Sequence, residues 1–328
     1  MQKIKIVVDS PCDIPDDDIT RYGIEMVGVP INVDGKDYVE RESFSCREFY
    51  PILENATNLP TTSRVPIGVF TEKYRKNWDE GCTDIIVITM NAIGSGTHES
   101  AQMAAGLFFD DTPEAVGILS IHIVDSMSYS MGYGYPAVRA AAMIGEGNSA
   151  EEILEYLRDV FNRIEILLVC YTLEYAKRSG RITAAAAVVG DMLGIRPTIA
   201  MIDGITKITS KVRGDKKATQ KLLDSYRERR ASPDAHVLVA SAAIDEYGQE
   251  LQEQLEQELG RDIKHYKIGA AITINAGPRM AALSYLGPKR ERDESKQPSV
   301  ITYDGITRSE IAEKKQVCRE HNRSNEIA

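Results

Sequence analysis

"TDIIVITMNAIGSGTHESAQMAAGLFF", residues 83–109, hands an apolar run through a glycine–serine turn into a helical repeat. Ile85, Ile86, Val87 and Ile88 read as a buried strand, and Ala101, Ala104, Ala105 and Phe108 recur at helical spacing. Between them stand Gly94, Ser95, Gly96 and Thr97. A strand that feeds a helix in this way is the repeating unit of an α/β sheet. Further strand candidates are Ile4–Val8, Ile121–Val124, Ile166–Val169, Val237–Ala240 and Ala270–Ile274, alternating with helical patterns. The alternation predicts an α/β fold with mostly parallel sheet.

Two hairpins interrupt the alternation. Asp34-Gly35 and Asp203-Gly204 each lie between strand-like residues, where glycine supplies the positive φ of a tight turn. A third "DGIT", at 304–307, repeats the second turn and reads as coincidence. "SAEEILEYLRDVFNRI" begins a helix at the N-cap Ser149, with Glu152 completing a capping box. A division near residues 163–165 then predicts domains of 1–163 and 164–287. The remainder, 288–328, reads as a charged linker and C-terminal extension, within which "SEIAEKKQVCREHNR" has the pattern of a short helix.

Bulk properties narrow the function. The chain has 328 residues and a net charge of −10, which argues against a general nucleic-acid surface. No apolar run approaches the roughly 18 residues of a membrane span, and the N-terminus reads as a strand, not a signal peptide. Cys12, Cys46, Cys82, Cys170 and Cys318 are far apart, without CxxC or metal-type His spacing. They read as free thiols in a reducing cytoplasm, with no metal and no cofactor. Lys207, Lys211, Arg213, Lys216 and Lys217 form a basic cluster, either a docking patch for an acidic partner or phosphate, or a solvated helix face.

Ser95 admits several chemistries. The outer positions of a Gly-x-Ser-x-Gly elbow are Ile93 and Thr97, so that pattern fails. No Lys precedes the hydroxyls, so it is not a Walker loop. His98 is three residues away, which keeps a Ser–His pair open. The first N–H groups of a helix lack internal partners, and glycines admit an anion close to them. The turn therefore reads either as a carboxylate or phosphate site or as a plain helix cap. "MGYGYPA", 131–137, imitates a dinucleotide fingerprint but stands too far past its strand, and Gly132 and Gly134 read as helix-packing positions.

"KIKIVVDSPCDIP", "LPTTSRVPIGVF", "GSGTHESA", "IVDSMSYSMGYG" and "TLEYAKRSGRITAAAAVVGDMLGIRPTIAMIDGITKITSKVRGDKKA" occur in this order. Together they resemble the DegV family of bacterial acyl-binding proteins, over roughly residues 3–287. The resemblance implies a two-domain α/β protein that holds one long-chain fatty acid in a tunnel between the domains. It implies that Thr62 and Ser95 grip the carboxylate, and that some members present the acyl group to a fatty acid kinase without catalysing anything themselves. Arg181 and Arg213 follow family arginine motifs and would add positive potential. The chain departs from the family at Arg64, where Gln is usual, at Ser179, where Gly is usual, and at Asn275 and Arg279, where His and Gly are usual.

On physical grounds a buried carboxylate needs donors, here the Thr62 and Ser95 hydroxyls with the Gly96 and Thr97 amides, at about 1.5–3 kcal/mol each. A tail of about fifteen methylenes contributes on the order of 12 kcal/mol before binding costs. The tail should set affinity and the head orientation. The rival readings are a serine-dependent esterase or acyltransferase built on Ser95, and a regulatory protein with a decayed lipid site.

Overall fold

The structure is a computed structural model that describes residues 2–182, 194–291 and 298–306. In chain order the elements begin with β1 (Ile4–Asp9), α1 (Asp16–Tyr22), β2 (Glu25–Val27), β3 (Pro30–Val33), β4 (Lys36–Val39), α2 (Cys46–Asn55), β5 (Thr61–Thr62) and α3 (Ile67–Asp79). There follow β6 (Asp84–Thr89), α4 (Thr97–Asp111), β7 (Ser120–Asp125), α5 (Met131–Gly145), α6 (Ala150–Phe161), β8 (Ile164–Cys170) and α7 (Glu174–Ser179). The last are β9 (Ile195–Ile202), β10 (Ile205–Arg213), α8 (Asp215–Arg229), β11 (Val237–Ser241), α9 (Glu246–Leu259), β12 (His265–Lys267), α10 (Ala270–Ala276), β13 (Met280–Leu286) and β14 (Val300–Tyr303).

The first sheet has the order β14-β7-β6-β1-β2, and its pairs are parallel except β14 with β7. Every residue of β6 is buried, as a strand covered on both faces requires. Ile6, Val8, Ile86 and Ile88 pack under α5 and α6, while Val7, Ile85, Val87 and Ile123 pack under α3 and α4. The helix α6 begins with the Ser149–Glu152 capping box. Gly134 lets α5 approach the chain, because a Cβ there would lie 2.2 Å from the Cys12 carbonyl oxygen.

The second sheet has the order β10-β9-β8-β13-β11-β12. All its pairs are antiparallel except β11 with β12, so the expectation of mostly parallel sheet holds for the first sheet alone. Short connections explain the difference, since Asp203 (φ 56) and Gly204 (φ 71) turn β9 directly into β10. Asp34 and Gly35 likewise turn β3 into β4 in a small third sheet with β5. One face of the second sheet, with Leu167, Val169, Leu283 and Tyr285, packs against α8 and α9. Its other face is turned towards the cavity described below.

Two elements differ from the sequence reading. Ala270–Ile274 is not a strand but the core of α10. Its first amides are held from a distance: Asp13 Oδ1 accepts from Gly269 N at 2.8 Å and Glu40 Oε1 from Ala271 N at 2.8 Å. Gly269 leaves room for these carboxylates, since a Cβ there would lie 2.6 Å from Asp13 Oδ1. The second difference is β14, an edge strand in a stretch that reads as linker. The chain is tied down on the way to it: Arg290 Nη1 lies 3.0 Å from Glu165 Oε1. The helix expected in 309–323, Cys318 and the "DGIT" repeat beyond Ile306 lie outside the described residues. Among the described residues no helix is long and apolar enough to cross a membrane.

Candidate functional site

A cavity of about 630 Å³ lies between the loops that follow the first sheet's strands and the free face of the second sheet. Its volume falls in the range of ligand pockets. The loop after β6 contributes Ala92, Ile93, Gly94, Ser95 and Gly96, and the segment after β5 contributes Ser63 and Arg64 beside Thr62. The opposite wall is apolar: Ile166 and Leu168 of β8, Met201 of β9, Leu238 and Ala240 of β11, and Met280 and Ala282 of β13. Ile272, Asn275 and Ala276 of α10 close one side.

At the polar end two segments are stitched together. Val65 N donates to Thr97 Oγ1 at 3.2 Å, so the Thr62–Arg64 segment lies against the start of α4. Ser95 Oγ donates to Thr97 Oγ1 at 3.0 Å and accepts from Thr97 N at 3.2 Å. The Ser95 hydroxyl thus turns back on the first helical residue, whose N-cap is Gly96, while also lining the cavity. Arg64 leans across Gly96 and pairs at the rim with Glu99 at 3.1 Å, both half-exposed or more. Asn275 Nδ2 donates to the Ala271 carbonyl at 2.6 Å.

Of the residues singled out in the sequence, Thr62, Ser95, Gly96, Arg181 and Asn275 line one cavity. The Thr97 side chain lies behind the wall, fully buried. Arg213 is not on the wall: it is the exposed last residue of β10, near Gly194. Lys207 and Lys211 share this strand, and only Lys216 and Lys217 are on a helix, so the cluster is not one helix face. Arg279 does not close the cavity, since it reaches instead to Tyr247 Oη at 2.8 Å.

The Ser–His pair does not form. His98 is committed elsewhere, with Nδ1 2.9 Å from Thr89 Oγ1 and Nε2 2.8 Å from Gln102 Nε2. Burial holds the imidazole below its ordinary pKa. Among the described residues no cluster of His, Cys, Asp or Glu has the arrangement of a metal site.

Sequence reasoning gave no role to three buried carboxylates beneath the cavity. Asp9 accepts from Met90 N at 3.0 Å and Tyr133 Oη at 2.8 Å, fixing the start of the Ser95 loop. Asp13 and Glu40 hold α10, and Ser10 Oγ donates to Glu40 at 2.6 Å. Burial pushes Asp9 up to about 7 and Asp13 up to about 8, the latter raised further by Glu40, whose own pKa burial also raises. Asp9 ends and Asp13 follows a mostly apolar strand in "IKIVVDSPCD", where a carboxylate has to find partners; that was the available signal.

A family model described as an uncharacterised protein family, DegV, matches residues 3–287. A DegV domain-containing protein of Caldanaerobacter subterraneus is 32% identical over 291 residues, covering 87% of this chain and 99% of that protein. Among solved structures, one described as a DegV lipid-binding protein of Thermotoga maritima superposes with a TM-score of 0.75 at 27% identity, covering 89% of this chain and all (100%) of that one. Another, described by the fatty acid binding of a DegV family protein of Thermus thermophilus, gives a TM-score of 0.73 at 26% identity, covering 88% of this chain and 100% of that one.

Proposed function

This chain belongs to the DegV family, and we propose that it is a binding protein that holds one long-chain fatty acid, carboxylate first, in the cavity between its two main sheets. The observation that carries this reading is the cavity's two-ended chemistry: hydroxyls and a helix start at Thr62, Ser95 and Gly96, and a wall of aliphatic side chains from four strands opposite them. A carboxylate at the polar end would replace part of the Ser95–Thr97 hydrogen bonding and take donors from Thr62, Ser95 and the amides of Gly96 and Thr97. Arg181 supplies positive potential at the wall, and Asn275 an amide that hydrogen-bonds without titrating. Arg213, outside the wall, has no part in the site.

In this reading the division near residues 163–165 separates a unit that grips the head from one that sheathes the tail. The protein works in the cytoplasm and performs no chemistry of its own. A separate fatty acid kinase would act on the carboxylate at the Thr62–Ser95 end. The esterase reading lacks a base at Ser95, because both His98 nitrogens are engaged.

The test is organic extraction of the purified full chain followed by mass spectrometry. One fatty acid per chain supports the proposal. Protein that yields no fatty acid, and that after delipidation binds none from about C14 to C18, where the burial term is large, overturns it.

A further inference from the structure

Among the described residues, the aliphatic wall of the cavity contains one polar atom with no counterpart. Along β13 the side chains alternate: Met280, Ala282 and Ser284 line the cavity, whereas Ala281, Leu283 and Tyr285 pack under the helices behind. Ser284 is 7% exposed. Its Oγ is buried and has no hydrogen-bond partner among the described residues. The strand register places Leu238 on one side of it and Ile166 on the other, with Met201 beyond Ile166. None of these side chains is a strong donor or acceptor. A hydroxyl in such a place is costly unless something bonds it, and alanine serves one row along at Ala282 and Ala240 without that cost.

Position along the cavity gives the hydroxyl a meaning. Met280 follows closely on α10, the helix that carries Asn275. Ser284 stands four residues further on, roughly 13 Å along the strand. It therefore faces the part of the cavity far from the carboxylate end, beside the acyl tail.

We infer that the cavity is selective for acyl chains bearing a hydrogen-bonding oxygen, a hydroxyl or an oxo group, in the distal half of the chain, and that Ser284 Oγ is the group that recognises it. This rests on the acyl-binding reading above. The hydroxyl donates to a keto oxygen, or exchanges donor and acceptor roles with an alcohol, and the rest of the tail keeps its aliphatic contacts. A plain saturated chain still binds but leaves Ser284 unbonded.

The test uses the delipidated full chain and a positional series of hydroxystearates, compared with stearate by calorimetry, in the natural protein and in Ser284→Ala. The expected result is one isomer that binds about tenfold tighter than isomers shifted by a few carbons, the factor for one added hydrogen bond. In Ser284→Ala that preference should vanish while stearate binds as well or better, which also shows that the variant is folded. A series in which every hydroxyl position weakens binding relative to stearate overturns the inference, and so does a preference that survives Ser284→Ala. If stearate itself fails to bind the natural protein, the acyl-binding reading fails and this inference with it. If stearate binds and no isomer stands out, only the inference fails.

Discussion

The first sheet meets the cavity with its loops, the second with its face. Parallel strands β1, β6 and β7 all end on one edge, so the turns that follow them bring backbone amides, Ser95 and Ser130 together. The antiparallel strands β8, β9, β11 and β13 satisfy their backbone within the sheet and offer only side chains. Alternate residues of β8, β11 and β13, with Met201 of β9, line the cavity and make an almost continuous aliphatic wall. Strand direction thus decides where polarity can gather and where hydrocarbon can lie. A ligand with a charged head and a long tail matches that division.

Filling the second sheet's face should have the largest effect. Ala282→Phe occupies space for about four methylenes and should weaken hexadecanoate by about 3 kcal/mol, at ~0.8 kcal/mol per methylene. Octanoate should be nearly unaffected, and equal losses for both acids would mean that the wall does not hold the tail. At the first sheet's loops, Thr62→Ala and Ser95→Ala should each cost about 1–3 kcal/mol, because a buried anion is left short of a donor. The methyl ester of the same acid should lose most of that sensitivity. Equal losses for acid and ester would make these residues structural only.

The buried carboxylates beneath the cavity give a pH signature. Asp9 and Asp13 have folded pKa values of about 7 and about 8, above their unfolded values. A group raised in this direction contributes stability that is whole below the unfolded pKa and is lost as pH rises through the folded one. Stability should therefore fall between about pH 6 and pH 8, by about 1 kcal/mol per pH unit for each group still titrating. Thermal melts across that range should show the slope, and Asp13→Asn should make it shallower. The smallest effect belongs to the second sheet's edge strand β10. Lys207→Glu and Lys211→Glu change exposed side chains of β10, on opposite faces either side of its bulge, and should change fatty acid affinity by less than about 0.5 kcal/mol. A larger change, measured by the same titration, would extend the binding region beyond the cavity.

Much of this division is legible in the residues. Ile85–Ile88 and the turn after it mark a buried strand and the polar end, and both Asp-Gly turns form as read. Pairing direction is less legible, because it depends on which strands are neighbours and not on any one run. Ala270–Ile274 shows the limit plainly: a short apolar run suits strand or helix equally. Here the choice follows Asp13 and Glu40, more than 200 positions earlier (separations of 256 and 231), which hold its first amides. The edge strand β14 has only four residues, Val300–Tyr303, set among polar ones, and becomes a strand by pairing with β7. Thr62 is noticed only through the family resemblance, whereas Ser95 already stands out in its strand-to-helix turn. Ser284 carries no local signal, since a serine in "AALSYL" becomes unusual only when its neighbours prove unable to bond it.

The central claim, that a fatty acid lies with its head on the first sheet's loops and its tail on the second sheet's face, is tested most directly by titrating the delipidated chain with hexadecanoate at several temperatures. The account predicts saturable binding at one site per chain, with a negative heat-capacity change from burying the tail. Binding that does not saturate, or saturates with no heat-capacity change, would contradict it.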